Sequence, residues 1–199
     1  MFVTLEGVDG AGKSTQARLL ADDLGPGTLL LREPGGTPAG ERLRDLLKDA
    51  SVELVPRAEL MLFCAARAEL VDRVIAPALA EGRSVVCDRF VDSTTAYQGG
   101  ARGIDPGLVT LLNDAAVRGC MPDRTILLRL DTGTATERAE GRCEMPISDR
   151  FESEGAGFQE RIARAFDRIA AADPARVKPV DAAGTVEEVR GRIREALEL

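Results

Sequence analysis

Short apolar segments alternate with helix-like segments along the whole chain, and this alternation restricts the possible folds more than any other feature. Segments with the length and composition of buried strands occupy residues 2–6, 28–32, 84–88, 125–131 and 177–181. Apolar spacing typical of helices occurs at residues 13–24, 39–49, 57–79, 106–118, 158–172 and 186–197. Pro77 should bend or loosen the end of the third predicted helix. No repeat or linker interrupts the alternation, so we predict one α/β domain, residues 1–199, on a mostly parallel sheet.

The composition argues against several classes of function. The net charge of −7 disfavours broad binding to nucleic acid or to anionic membranes. No apolar segment approaches the roughly 18 residues needed to span a bilayer, and none resembles a signal peptide. The four cysteines, Cys64, Cys87, Cys120 and Cys143, form no C-x-x-C pair, which predicts free thiols in a reducing compartment. We therefore expect a cytoplasmic protein.

The basic residues have an uneven composition. The chain contains no histidine, which excludes a histidine general base and a histidine-containing zinc site. Of its 26 basic residues only Lys13, Lys48 and Lys178 are lysines, and the other 23 are arginines. A lysine at position 13 therefore indicates a site that needs a compact ammonium group rather than a guanidinium fork.

Residues 7–14, GVDGAGKS, match the phosphate-binding pattern G-x-x-x-x-G-K-S and lie between a predicted strand and a predicted helix. Glycines allow successive backbone N–H groups to point at a polyphosphate, and the helix N-terminus adds its positive dipole end. Lys13 can then span the β- and γ-phosphates, while the Ser14 hydroxyl can bind Mg²⁺. The alternative is a glycine-rich turn followed by an N-capping serine. We predict that this loop binds a nucleoside triphosphate.

Three further segments carry polar residues beside predicted strand ends or on the third predicted helix: residues 32–37 (REPGGT), 63–67 (FCAAR) and 88–100 (DRFVDSTTAYQGG). Taken singly, they are compatible with a tight turn, a core aromatic beside a surface cation, and a solvated ion pair. Ligands of open parallel sheets, however, bind beyond the carboxyl ends of the strands. Phe63 can stack on a flat base, and Arg67, one turn later, can donate to a base carbonyl. Arg89 offers the fork that suits a phosphate, so we predict a second nucleotide site facing the first.

With these residues in place, the chain resembles the bacterial thymidylate kinases of the nucleoside monophosphate kinase superfamily. The resemblance rests on GVDGAGKS, REPGGT, FCAAR, DRF, STTAYQGG and the DRFE of residues 149–152, and it extends almost from end to end. It implies a five-stranded parallel sheet flanked by helices on both faces, with a short mobile lid. It also implies a homodimer that transfers the γ-phosphoryl group of ATP·Mg²⁺ to dTMP, giving dTDP and ADP in dTTP biosynthesis.

The resemblance further implies a set of site residues. Those for ATP are Gly7, Val8, Asp9, Gly10, Ala11, Gly12, Lys13, Ser14 and Thr15. Those for dTMP are Asp9, Glu33, Pro34, Phe63, Arg67, Arg89, Ser93, Thr94, Tyr97 and Gln98. Among them, Asp9 reaches the sugar 3′-hydroxyl and Tyr97 fills the space of a ribose 2′-hydroxyl, which favours a deoxy sugar. Asp88 lies near the Mg²⁺ that Ser14 binds, through water.

The expected reaction needs no general base, because the attacking phosphate has a second pKa of about 6. Catalysis then consists of positioning and charge neutralisation, for which we assign Lys13, Asp9 and Arg89. The loop itself contains no arginine, and in family members of that kind the lid supplies one. We place the lid at about residues 138–157 and favour Arg142 and Arg150 over Arg138. The centre of this segment, residues 143–147 (CEMPI), is poorer in arginine than the family pattern.

Two alternatives remain open from the residues. Another monophosphate kinase, or a deoxynucleoside kinase with Glu33 as its base, would use the same loop, and turnover of thymidine would identify the latter. A nucleotide-sensing switch or binding module would bind ATP without an acceptor. The guanine motif Asn-Lys-x-Asp is missing, because the only asparagine, Asn113, precedes Asp114.

Overall fold

The computed structural model describes residues 1–131, 133–135, 138 and 155–199. In this part of the chain five strands form one sheet, in which neighbours are parallel and the order is β2-β3-β1-β4-β5. The strands are β1 (Phe2–Glu6), β2 (Leu29–Arg32), β3 (Val85–Asp88), β4 (Arg124–Arg129) and β5 (Val177–Asp181). The predicted five-stranded parallel sheet is confirmed, and each strand end lies within two residues of its expected position.

Helices cover both faces of the sheet. They are α1 (Lys13–Asp23), α2 (Pro38–Lys48), α3 (Pro56–Leu70), α4 (Ala76–Ala80), α5 (Val91–Thr94), α6 (Pro106–Val117), α7 (Ala156–Ala172) and α8 (Val186–Ala196). Three of them, α2, α3 and α6, begin with proline, whose missing N–H costs nothing at a first helical position. Alternate residues of β1 face opposite sides. Phe2 therefore packs in a cluster with Leu70, whereas Val3 and Leu5 pack in a cluster with Leu20.

The third predicted helix, residues 57–79, consists of three parts. The helix α3 continues into a π-helical turn, Val71–Ile75, which leads directly into α4. The backbone N–H of Ala76 donates to the carbonyl of Val71, five residues earlier. Pro77 follows at once and has no N–H of its own, so the looser turn lies where the proline would disturb an ordinary helix.

Residues 91–101 are helical, although the sequence analysis predicts no helix there. The helix α5 is followed by a π-helical turn, Thr95–Ala101, that contains both Gly99 and Gly100. Glycine normally weakens a helix, but Ala96, Tyr97 and Gln98 are buried here. Packing of the turn against α7 and α6 therefore overrides the local preference.

The strand order brings three loops together. Since β3 lies between β2 and β1, with Leu5 opposite Asp88 and Asp88 opposite Arg32, the carboxyl ends of all three strands meet at one edge. The glycine-rich loop, the REPGG segment and Arg89 all leave the sheet at this edge, where open parallel sheets bind ligands.

The lid prediction falls mostly outside the described residues, and Arg142 and Arg150 lie there. We find no helix in the described part of the chain with the length and apolarity required to cross a bilayer.

The contact between the π-helical turn and α7 can be tested with two neighbouring glycines. A Cβ at Gly100 would overlap the Cβ of Ala165, whereas one at Gly99 would meet Val109 at an ordinary 3.6 Å. We expect Gly100→Ala to lower the free energy of unfolding by about 1–3 kcal/mol, the usual effect of overpacking. The matched control Gly99→Ala should be neutral or slightly stabilising. Urea titration measures both, and equal effects of the two variants would contradict the close contact.

Candidate active site

The glycine-rich loop ends in a helix N-terminus with its donors available. Gly10 and Gly12 have φ values of 86° and 93°, in the region that only glycine adopts readily. Gly12 is the N-cap of α1 and makes no side-chain cap. The first N–H groups of a helix have no partner within that helix, so α1 presents the arrangement that binds phosphates.

Lys13 lies folded against the loop. Its side chain is buried, its Nζ donates to the carbonyl of Val8 at 2.7 Å, and Asp9 lies 3.8 Å away. Burial lowers the pKa of Lys13 to about 8, and the nearby Arg89 adds to this effect. A polyanion beside Nζ would favour the charged ammonium.

Ser14 and Asp88 form an oxygen-rich pair at the mouth of the loop. The hydroxyl of Ser14 donates to Oδ2 of Asp88 at 2.5 Å, and Oδ1 of Asp88 is buried without a partner among the described residues. A carboxylate oxygen in this state fits a hard cation. No cluster of three metal-ligating side chains exists in the described part of the chain, so these two groups alone would leave most of a coordination shell to phosphates and water.

Arg89 links the glycine-rich loop to the opposite wall. Its Nη2 donates to Asp9 Oδ1 at 2.5 Å and to the Tyr97 hydroxyl at 3.1 Å, while Nη1 donates to Ser93 Oγ at 3.1 Å. Burial alone would raise the pKa of Asp9, but Arg89 and Lys13 hold it well below its ordinary value. Burial also raises the pKa of Tyr97 above its ordinary value. The cluster therefore contains an ionised carboxylate, a guanidinium and a neutral phenol.

Arg67 is held by an extensive buried network. It is only 1% exposed, and its Nε and Nη2 donate to the carboxylate of Glu33 at 2.7–3.2 Å. Nη2 also donates to Thr94 Oγ1 and to the carbonyl of Phe90. Nη1 donates to Asn113 at 2.8 Å and has no second partner in the described residues. Burial alone would lower the pKa of Arg67, but Glu33 raises it above its ordinary value. One Nη1 N–H therefore remains for a ligand.

One cavity of about 370 Å³ connects these groups. It is lined by all ten residues predicted for dTMP, namely Asp9, Glu33, Pro34, Phe63, Arg67, Arg89, Ser93, Thr94, Tyr97 and Gln98. Gly10, Gly12, Lys13 and Ser14 of the glycine-rich loop line it as well, and so does Asp88. The fold thus brings the two predicted nucleotide sites into a single space.

Other predicted residues lie elsewhere. Gly7 and Val8 line a second cavity on the β4 side of the loop, and Ala11 is buried in the core. Thr15 lines neither cavity. Arg138, the one described arginine of the predicted lid, donates to the carbonyls of Ala182 and Gly184, after β5.

The sequence analysis missed several residues of this site. Arg32, Arg44, Leu47 and Lys48 also line the cavity. Arg44, Leu47 and Lys48 lie on α2. Its sequence is that of an ordinary amphipathic surface helix, so nothing local marks these residues as part of a binding site. Glu59 was missed as well, although it is buried and accepts from the Gln98 amide at 2.8 Å.

The buried pair of Arg67 and Glu33 can be tested by its effect on stability. Glu33→Gln leaves the Arg67 charge buried without its counter-ion, so we expect a loss of about 3–5 kcal/mol in the free energy of unfolding. The control is Glu160→Gln, which breaks an exposed pair with Arg164 at 3.5 Å and should cost at most about 1 kcal/mol. Urea unfolding of both variants gives the comparison. Similar small losses would show that the two charges of the buried pair are not coupled.

Comparison with known proteins agrees with this geometry. The family model described as thymidylate kinase matches residues 5–193. The chain is 47% identical to the thymidylate kinase of Gluconobacter oxydans, over 99% of this chain and 94% of that protein. It is 45% identical to that of Gloeobacter violaceus, over 100% of this chain and 95% of the relative. The crystal structure of thymidylate kinase from Ehrlichia chaffeensis superposes with a TM-score of 0.81 at 34% identity, covering 100% of this chain and 98% of that one. The chain belongs to the thymidylate kinase family.

Proposed function

We propose a specific assignment of residues for the reaction of this family, the transfer of the γ-phosphoryl group of ATP to dTMP to give ADP and dTDP. The observation that carries the assignment is the shared cavity. Lys13 and Ser14 of the glycine-rich loop line it, and so do Phe63, Arg67 and Arg89. A donor and an acceptor nucleotide bound in one space can meet in line, as direct phosphoryl transfer requires.

The donor binds at the glycine-rich loop. The amides at the start of α1 hold the β- and γ-phosphates of ATP, and Lys13 leaves the Val8 carbonyl to neutralise them. Because burial depresses the Lys13 pKa to about 8 in the free protein, the phosphates restore its full charge. We expect Gly7–Thr15 backbone contacts to supply most of the remaining donor binding.

Mg²⁺ fits the pair formed by Ser14 and Asp88. The hard oxygens and the unsatisfied Oδ1 of Asp88 suit this ion, which usually takes few protein ligands and fills its shell with phosphate oxygens and water. When bound, Mg²⁺ neutralises charge on the β- and γ-phosphates. Ser14 and Asp88 then position the donor. In the free protein the Ser14 hydroxyl donates to Asp88 instead.

The acceptor dTMP binds against the opposite wall. Arg89 holds its phosphate, for which a guanidinium fork is well suited. Phe63 stacks on thymine, and the remaining Nη1 N–H of Arg67 donates to a thymine carbonyl. Tyr97, held by Arg89 and Asp9, closes the space that a ribose 2′-hydroxyl would need, and Asp9 accepts from the 3′-hydroxyl.

This arrangement performs the reaction without a general base. A phosphate oxygen of dTMP attacks the γ-phosphorus, and its second pKa of about 6 makes it a dianion at neutral pH. The remaining task is to hold both phosphates in line and to neutralise their charge. Among the described residues, Arg89 and Lys13 perform this task. We propose that Arg142 and Arg150 supply the remaining positive charge.

The deoxynucleoside kinase alternative requires a carboxylate base beside the sugar, and Glu33 was its candidate. Glu33 is instead occupied by three hydrogen bonds from Arg67. We therefore assign Glu33 to fixing Arg67 and not to proton transfer.

We also propose a homodimer in the cytoplasm. The helices α3 and α6 pack together. Val55 just before α3, Met61 on α3 and Leu111 on α6 are 67%, 48% and 64% exposed. Exposed apolar side chains on two packed helices support a protein interface at this face. Cys64, Cys87 and Cys120 are free thiols, as expected in a reducing compartment.

The acceptor assignment is tested by ADP release from ATP·Mg²⁺ with dTMP, dUMP, UMP, AMP, GMP, CMP or thymidine. We expect kcat/KM for AMP, GMP and thymidine to be less than about a hundredth of that for dTMP, because a site built for specific polar contacts rejects analogues that lack them. The kcat/KM for UMP should be lower than that for dUMP, because Tyr97 closes the space that the 2′-hydroxyl of UMP needs. Omission of Mg²⁺ should abolish turnover with every acceptor.

Preferential turnover of thymidine would overturn the acceptor assignment and restore the role of Glu33 as a base. ATP binding without turnover of any acceptor would favour a binding module instead.

The proposed dimer face can be tested with one surface charge. Leu111→Lys replaces the exposed apolar side chain of α6 with a cation, so we expect a wild-type dimer to become a monomer in sedimentation velocity. Val186→Lys, at a 49% exposed position on α8, is the control and should keep the wild-type mass. A Leu111→Lys variant that stays dimeric would place the interface on another face.

A further inference from the structure

Arg89 has an unfavourable backbone conformation. Its φ is 71°, in the left-handed region that costs a non-glycine residue about 1–2 kcal/mol. Such strain persists only where the surroundings hold the residue in place. The N–H of Arg89 donates to the carbonyl of Leu5 at 3.0 Å, which fixes one side of the residue. A second restraint is needed on the side that leads into α5.

The side chain of Glu6 supplies that restraint. It is fully buried at the end of β1, and its Oε1 accepts from the N–H groups of Phe90 at 2.7 Å and Ser93 at 3.1 Å. Phe90 is the N-cap of α5 and has no capping side chain of its own. Glu6 therefore caps this helix from the neighbouring strand, immediately after Arg89.

Glu6 also orients the Ser93 hydroxyl. The hydroxyl donates to Oε2 of Glu6 at 2.5 Å and accepts from Nη1 of Arg89 at 3.1 Å. A serine hydroxyl has one hydrogen, so donation to Glu6 leaves a lone pair directed at Arg89. The three groups form a chain of hydrogen bonds in which the charge of Glu6 sets the direction.

We propose that Glu6 is a positioning residue for the acceptor phosphate: its carboxylate holds the start of α5 and the Ser93 hydroxyl so that the Arg89 guanidinium faces dTMP. Glu6 does not line the cavity and acts through Ser93 and the Arg89 backbone. The inference rests on the proposed contact between Arg89 and the dTMP phosphate.

The charges around Glu6 make the effect sensitive to pH. Asp92 faces it from α5, Arg89 from the β3–α5 junction, Lys13 from α1 and Arg67 from α3. Burial raises the pKa of Glu6 to about 8 and Asp92 adds to the rise, while Ser93, Arg89 and the Phe90 amide oppose it. A protonated Glu6 would donate to Ser93 and reverse the hydrogen bond. The positioning form is the carboxylate, which grows in population as the pH rises through about 8.

The test compares Glu6→Gln with wild type in steady-state kinetics. At about pH 9, where the wild-type carboxyl is ionised, we expect the KM for dTMP to rise about tenfold or more, the effect of losing a hydrogen bond to a charged group. The KM for ATP should change less than about twofold. At about pH 6.5 the ratio of variant to wild-type KM for dTMP should shrink, because protonated Glu6 resembles glutamine.

Three further variants make the test decisive. Thr4→Val, on the same strand as Glu6, removes the buried hydrogen bond between Thr4 and Thr125 of β4 and should leave both KM values unchanged. Ser93→Ala should raise the KM for dTMP, and the double variant with Glu6→Gln should be no worse than the more impaired single variant. Arg89→Lys should raise it as well, because lysine lacks the guanidinium fork.

Equal changes in both KM values, or a ratio that does not depend on pH, would assign Glu6 a purely structural role and overturn the inference. Multiplicative effects of Glu6→Gln and Ser93→Ala would overturn the relay through Ser93. If Arg89→Lys leaves the KM for dTMP unchanged, the proposed role of Arg89 fails first.

Discussion

The ion pair between Arg89 and Asp9 joins the two loops on which the site is built. One loop follows β1 and the other follows β3, and these strands are adjacent and parallel, so both loops leave the sheet at the same edge. The Asp9 side chain is half-buried, at 32% exposure, and the adjacent Arg89 cation favours its ionised form. Tyr97 bonds to both partners. The donor loop and the acceptor wall are therefore one electrostatic unit, and a change of charge on either side acts on the other.

Buried charges around the cavity all have partners within a few ångströms. Arg67 is paired with Glu33. Glu59 accepts from Arg102 and from Gln98, and Glu6 accepts from two amides and a hydroxyl. An unpaired buried charge would cost several kcal/mol, so each pairing limits the positions that its members can adopt. These paired groups are therefore fixed before a nucleotide enters. Fixed dipoles and charges of this kind need little reorganisation when the transferring phosphoryl group develops charge.

The sequence predicts the fold from short-range patterns, and most of the cavity lining from such patterns together with the family resemblance. Strand–helix alternation, the GxxxxGKS spacing and the four-residue separation of Phe63 and Arg67 are all local. The helical state of residues 91–101 is not local, since it depends on Glu6, more than 80 residues earlier, and on packing against α7. The same applies to Arg67 and Glu33, which are 34 residues apart, and to Asn113 on α6. The sequence shows these residues but not that they are partners.

The network around Arg67 has a consequence for the kinds of base that the cavity can accept. Glu33, Asn113, Thr94 and the Phe90 carbonyl take up the other N–H groups of the guanidinium and hold it in place. Arginine has donors only. The remaining Nη1 N–H can therefore donate a hydrogen bond to an oxygen but not to an amino group. A base with an exocyclic amine at that point would direct its N–H donors at the N–H donor of Arg67. The hydrogen bonds around Arg67 prevent the guanidinium from turning away. Rejection of such bases would then come from repulsion and lost solvation rather than from a lack of space.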